Sequence, residues 1–328
     1  MINIKPNRCL INTSKDSSDI ILTIAIPTFK RFDLLKETMR SVFANAFFLN
    51  VEVIVIDNNP DEDELAINEM DEFLNESFKY YKNSENYGMF GNWNQCLALA
   101  TGKYITILHD DDLLRTCFSQ KVEEAIHLGC SAFGYSWETL DERLVDKKQN
   151  VNPIYECLKK RFQFMKREKA KSFLELRDFF FANQFIGTLG VVFERDKALL
   201  INGFDENLYP IADYDFWIRW VVNYGGINFF PEKISIYRVR VNESMRPEVI
   251  HSFIEKNHML RDDIQKKGLI NVSESCLKSL KERDELLFNF IWSSPEFYKK
   301  TYKNILLFLI LRCKCYFFLK KCEIQNNK

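Results

Sequence analysis

The fold class this sequence predicts is α/β: a central, mostly parallel sheet flanked by helices, followed by a helical carboxy-terminal extension. Three observations point there. Short apolar runs alternate with helical patterns through residues 20–112. One of those runs, "VEVIVIDNN", has the β-branched density of a strand covered on both faces. Polar residues, namely Thr28, Asp57 and the cluster Asp110, Asp111 and Asp112, fall just where the apolar runs end. Carboxyl strand ends are where open α/β sheets bind ligands.

The elements run in order along the chain. "DIILTIAIP" predicts a strand ending at Pro27, and Leu34, Leu35, Thr38, Met39, Val42 and Phe43 then recur at helical spacing. After the second strand, acidic residues open a helix from Asp61, the sign that complements a helix amino terminus. A short strand is expected at Phe78–Tyr81, then a helix from about Phe90 to Ala100 with Trp93, Leu97 and Ala100 on one stripe. Gly102 separates that helix from the strand "KYITILHDDD". Residues 141–180 are charged and then aromatic without a period-two signal, which predicts loops and helices over a cleft or against a partner. Beyond them "GTLGVVFE" reads as a strand and "RDKALLING" as a short helix ended by Gly203. Phe216, Trp217, Trp220 and Val221 give a further helix its apolar stripe, and "GINFFPEKISIYRV" reads as one or two strands. From Arg246 the pattern is helical, with breaks expected at Gly268 and Pro295. The chain therefore divides into a domain over 1–245, with halves at about 20–112 and 113–245, and a helical extension over 246–328.

Composition narrows the classes of function. With 45 Lys and Arg against 46 Asp and Glu, the formal net charge is -1, which argues against a nucleic-acid binder. Nine scattered cysteines give neither a disulfide framework nor a zinc-ribbon spacing, and Cys313 and Cys315 lack a second ligand pair, so a reducing, cytoplasmic compartment is expected. The amino end has no secretory signal pattern. Ile305–Leu319 is strongly apolar, but Arg312 and Lys314 interrupt it and it falls short of the roughly 20 residues of a spanning helix. A buried helix is expected there, with membrane-surface attachment at the inner face of the cytoplasmic membrane and oligomerisation as the other readings.

The sharpest chemical feature is "LHDDD". Three adjacent carboxylates after an apolar strand repel one another unless a cation or hydrogen-bond donors stabilise them, and oxygen donors suit Mg²⁺ or Mn²⁺ bridging the phosphates of a nucleotide. Alone, the triplet also fits a solvated helix start. It stands, however, in an ordered set with "AIPTFKR", "VIVIDNN", "NSENYGMFGNWNQCLALATGKYITILHDDD" and "GFDENLYPIADYDFWIR". That set, over about residues 20–245, resembles glycosyltransferase family 2.

The resemblance implies a mixed, mostly parallel GT-A fold and an inverting sugar transfer from a nucleotide sugar, most simply a UDP-sugar. It places Pro27, Thr28 and Arg31 in the first nucleotide-binding loop and Asp57 at the base, where a carboxylate can accept the imide proton of uracil. Asn86, Gly88 and Asn94 match the stretch near the donor; either asparagine could instead tie down a loop or a helix end. Asp110 would face the donor ribose, and Asp111, with Asp112, would hold a divalent metal, Mn²⁺ or Mg²⁺. His109, which displaces an aspartate of the family pattern, fits either a metal ligand or a loop-bonding role. Asp213 would be the base that deprotonates the acceptor hydroxyl, although Ala212 stands where the family has an acidic neighbour. Arg240 takes the place of a family histidine and could neutralise the diphosphate. Arg219, Gly187 and Thr188 also fall on family positions.

Family membership implies assembly of bacterial surface polysaccharide or another glycoconjugate, with a nucleotide-sugar donor and a glycan or lipid-linked acceptor as partners. The departures at Ala212 and Arg240 leave open a non-catalytic nucleotide-sugar or glycan binding protein, and a nucleotidyltransferase is a further alternative.

Overall fold

A computed structural model describes residues 2–14, 19–142, 172–240, 245–292 and 301–326. Most of the segment expected as loops and helices over 141–180, and the break expected at Pro295, lie outside the described residues. The residues group into two compact units. The first comprises Met1–Leu174, Phe185–Glu206 and Arg219–Arg240; the second comprises Glu175–Gln184, Asn207–Ile218 and Val241–Lys328.

The first unit holds one sheet. Its strands among the described residues are β1 (Asn7–Asn12), β2 (Leu22–Thr28), β3 (Val51–Asp57), β4 (Lys79–Asn83), β5 (Tyr104–Ile107), β6 (Leu113–Leu114), β7 (Ala132–Asp141), β8 (Phe173–Leu174), β9 (Val191–Glu194) and β10 (Ile227–Val239). They lie in the order β1-β4-β3-β2-β5-β9-β7-β10-β6, with β8 also on β10. The run β4-β3-β2-β5 is parallel, as is β7 with β10. The pairs β1/β4, β5/β9, β7/β9 and β10/β6 are antiparallel, so the sheet is mixed and mostly parallel at its centre.

The helices of the amino-terminal part of this unit are α1 (Phe32–Phe43), α2 (Asp63–Glu69), α3 (Gly88–Leu99) and α4 (Phe118–His127). Strand β2 is buried at every position, and β3 at all but its first. Such unbroken burial is what helices on both faces of a parallel sheet produce. Helix α1 covers this sheet with Leu35, Thr38, Met39 and Val42, the i, i+3, i+4, i+7 stripe of an amphipathic helix. Ile24, Ile26, Val53, Val55 and Phe78 join Leu35, Met39 and Val42 in one hydrophobic core.

Strands β1, β6, β7 and β8 and helix α4 were not legible in the sequence, β8 falling in the segment expected as loops and helices. β1 and β6 are short and draw their definition from the partner strand rather than from a pattern of their own. Helix α6 (Arg195–Leu200) follows α5 (Leu176–Phe181), and its turn ends at Gly203 with φ 55°, as the sequence predicts.

The second unit is helical. It contains α5, the first half of α7 (Ala212–Tyr224), and α8 (Pro247–Lys266), α9 (Glu274–Trp292) and α10 (Tyr302–Asn326). Gly268, with φ 68°, follows the end of α8. Inside the unit, Asp284 accepts from Arg261 Nη1 at 2.7 Å and from Arg283 Nε at 3.0 Å. Arg261 Nε also donates to the Phe180 carbonyl at 2.8 Å, which ties α5 to α8 and α9. The expected carboxy-terminal helix forms as α10, burying Leu311, Cys315 and Leu319 while Leu306, Ile310, Tyr316 and Phe317 stay exposed. Among the described residues no helix is long and apolar enough to cross a membrane.

Candidate active site

The parallel register sets the site. Thr28 at the end of β2 pairs with Asp57 at the end of β3, and β5 lies on the other side of β2, so three carboxyl ends open side by side. From them come Thr28, Asp57 and the turn His109–Asp112.

Asp110 is fully buried. Its Oδ2 accepts from Thr28 Oγ1 at 2.7 Å and from Arg31 Nε at 3.2 Å, and its Oδ1 accepts from Arg31 Nη2. Burial pushes this carboxyl up; Arg31 pulls it down, Asp111 pushes it further up, and the balance is about 6. Arg31 Nη1 also reaches Asp111 Oδ2 at 2.9 Å. One half-exposed guanidinium thus bridges two adjacent carboxylates.

Asp112 is anchored differently. Its Oδ1 accepts from the backbone N–H of Arg238 at 3.0 Å, and its carbonyl accepts from Thr38 Oγ1 at 2.8 Å. Its Oδ2 is buried and takes no hydrogen bond, although His109 Nδ1 is 3.2 Å away. Burial pushes the Asp112 carboxyl up, against the pull of His109.

The donor atoms of His109, Asp111 and Asp112 all lie within 4.8 Å of one another. An orphaned buried carboxylate oxygen beside a second carboxylate is a donor set that fits a hard divalent cation. Asp111 and Asp112 are the residues that would hold it.

Asp57 is almost fully buried at the end of β3. Its Oδ1 accepts from the Asn59 N–H and its Oδ2 from Tyr80 Oη, each at 2.9 Å, and Lys82 Nζ lies 3.7 Å from Oδ2. Burial raises its carboxyl despite those donors. Pro27 is buried in β2 beside Ile56. Asn86 Oδ1 accepts from Asn58 Nδ2 at 2.7 Å and caps the Gly88 N–H at 2.9 Å, while Gly88, with φ 74°, has nothing within 4 Å of where a Cβ would stand.

Two other predicted donor residues are engaged in protein contacts. Asn94 Nδ2 donates to the Phe204 carbonyl at 2.8 Å, and its Oδ1 accepts the Phe204 N–H at 2.9 Å, so its amide holds the loop after Gly203. Arg240 pairs with Glu142, as does its strand neighbour Arg238 at 3.5 Å. Arg238, in β10, and Arg240, just past its end, thus meet on the same carboxylate. Arg238 is buried and also pairs with Glu37. Arg219 donates to the carbonyls of Ile201 and Gly203, bracing that turn.

In the second unit, Asp213 sits in the first turn of α7, 8% exposed. Its Oδ2 accepts from Asn183 Nδ2 at 2.9 Å. The positive end of the helix favours a negative side chain at that position.

Sequence reasoning missed Thr38, Tyr80, Lys82 and Asn58. Thr38 reads as one more member of the α1 stripe, and only the fold turns its hydroxyl onto Asp112.

The model of glycosyl transferase family 2 matches residues 23–187. The chain belongs to this family. A GalNAc(5)-diNAcBac-PP-undecaprenol beta-1,3-glucosyltransferase of Campylobacter jejuni is 31% identical over 229 residues, 68% of this chain and 66% of that protein. The chain thus matches just under two thirds of that relative's length. In structure it is similar to residues 1–349 of S. aureus TarS solved with UDP-GlcNAc, at a TM-score of 0.55 and 13% identity, over 89% of this chain and 79% of that one. It is similar also to a mannosyltransferase of Pyrobaculum calidifontis solved with GDP-Man and Mn²⁺, at 0.54 and 12%, over 96% and 88%. At these identities the likeness is one of fold, and it agrees with the GT-A architecture expected of the sequence.

Proposed function

We propose that this family 2 chain is an inverting glycosyltransferase that moves a sugar from a nucleotide sugar to a hydroxyl of a glycan or lipid-linked acceptor. The observation that carries the reading is the strand-end cluster, where Thr28, Arg31, Asp110, Asp111 and Asp112 converge beside Asp57. Asp57 suits the imide of uracil, which favours a UDP-sugar. Arg31 spans Asp110 and Asp111 and is exposed enough to turn onto the donor phosphates. Asn86 and Gly88 complete the donor side in this reading, Asn94 holds the loop after Gly203 instead, and Arg240 carries charge for the diphosphate.

A divalent ion, when held by Asp111 and Asp112, supplies positive charge against the departing nucleoside diphosphate. Asp213 takes the acceptor proton, and Asn183 holds its carboxylate in one orientation. The acceptor oxygen then displaces the diphosphate in a single step with inversion.

The lipid-linked acceptor is supported by the undecaprenol in the name of the Campylobacter relative. It is supported too by α10, where Leu306, Ile310 and Phe317 are exposed on a helix whose segment 302–320 carries Lys303, Arg312, Lys314 and Lys320 and no acidic residue. Apolar and basic side chains together suit an anionic bilayer surface, which supports a reading in which the protein works at the inner face of the cytoplasmic membrane.

The test is incubation with UDP-sugars and undecaprenyl-diphosphate saccharides, with and without Mn²⁺ or Mg²⁺, followed by NMR of the product anomer. Inversion is expected, and retention would overturn the mechanism. Asp213→Asn should lower transfer by about 10²–10⁴-fold, the range for a general base, while UDP affinity stays unchanged.

A further inference from the structure

Resting on the reading that a divalent ion serves this site, we propose that His109 is a third ligand through Nδ1, and that this nitrogen makes the site select Mn²⁺ over Mg²⁺. The imidazole is held at its face and its edge. Trp93 stacks on it with ring centres 4.9 Å apart and planes 22° apart. Gly187, with φ 56°, lies against its edge, where a Cβ would come within 2.7 Å of His109 Cε1.

The neighbouring hydrogen bonds also favour one arrangement of its protons. Thr188 Oγ1 donates its only proton to the Ile107 carbonyl at 2.7 Å, so toward His109 Nε2, 3.4 Å away, it can only accept. Nε2 therefore carries a proton. In the neutral ring that leaves a lone pair on Nδ1, which faces Asp112 Oδ2 at 3.2 Å, and that oxygen is buried without a hydrogen bond.

Two acceptors held face to face need a cation between them. A separation of 3.2 Å is close to the roughly 3 Å between adjacent donors on an octahedral ion with bonds of about 2.1 Å. Asp111 completes the set, because its carboxylate lies within the same 4.8 Å group. A proton on Nδ1 is the competing occupant of the gap. An imidazole nitrogen is a poor ligand for Mg²⁺, which prefers oxygen and water, but a good one for Mn²⁺ and later first-row ions.

The experiment is pulsed EPR of the full-length protein loaded with Mn²⁺ and UDP, with histidine in ¹⁴N and ¹⁵N forms. The chain has four histidines, and His109 alone among them is in the cluster. Directly bonded nitrogen modulation that changes with the isotope is expected in the wild-type protein, and this readout requires no variant. In His109→Gln, checked for folding by circular dichroism, the modulation should vanish. Mn²⁺ affinity should fall about tenfold or more, the scale of losing a metal-site interaction, with Mg²⁺ affinity nearly unchanged.

Mn²⁺ bound in an Asp111-dependent way without nitrogen modulation would overturn the proposal, assign the gap to a proton, and leave the glycosyltransferase reading standing. Failure of the wild-type protein to bind Mn²⁺ at all would overturn both this proposal and the metal-dependent part of that reading.

Discussion

Two buried aspartates, one in each compact unit, meet opposite fates. Asp284 is enclosed by two buried guanidiniums, those of Arg261 and Arg283. Burial pushes its carboxyl up, but both arginines outweigh that, and it sits below the usual carboxylate range. Asp110 is equally buried but shares one half-exposed arginine with a second carboxylate, and it rises to about 6. The same side chain is thus a closed structural counter-ion in one place and an under-neutralised charge in the other. A cluster that is to accept a cation has to be left short of positive charge, and the shortage appears as a destabilising carboxylate.

The largest test of this contrast is Asp284→Asn. It strands two buried cations, so it should cost about 3–5 kcal/mol in urea unfolding while UDP affinity is retained. The wild-type contribution is present above the ordinary carboxylate value of 3.8 and is lost as pH falls through the lower folded value, so the variant's deficit should shrink below about pH 4. A variant as stable as wild type would mean the network is not closed.

Asn94 sharpens the comparison, because the family pattern puts it with the donor and its amide bonds instead to the backbone of Phe204. Asn94→Ala should cost about 1–3 kcal/mol through two unmet backbone groups and should leave UDP affinity unchanged. Weaker UDP binding at full stability would put its amide back at the donor.

The smallest effect has the opposite sign. A carboxyl raised in the folded state contributes stability below its ordinary 3.8 and loses it as pH rises through about 6. Asp110→Asn should therefore melt higher than wild type at pH 8, by about 1–2 °C, the shift that roughly 1 kcal/mol produces in a chain of 328 residues. The gain should disappear near pH 4, and donor binding should weaken. A variant that melts lower at pH 8 would break the comparison.

Much of the first unit was legible. Strands β2, β3 and β5 are interior strands, paired in parallel with one another, so their sequences are mostly apolar, and the polar residues where those runs end marked the site. Strands β1 and β6 were not legible, because strands of six and two residues borrow their partners' hydrogen bonds. Within the site, residue types and spacing announced the acidic turn and Asp57. They could not show that Thr28 and Arg31 bond to Asp110, since that requires β2 and β5 to be neighbours. His109 could be read in two ways for the same reason: its neighbours Trp93, Gly187 and Thr188 come from segments 16 to 79 residues away in the chain.

By itself, the sequence determined which residues line the strand ends, because a two-sided parallel sheet forces an apolar run and exposes the polar residues just beyond it. Tertiary structure decided which of those carboxylates are neutralised and which are left wanting a cation. Charge balance in a buried site depends on the few donors within about 3–4 Å, and in a folded chain those donors come from segments far apart in sequence.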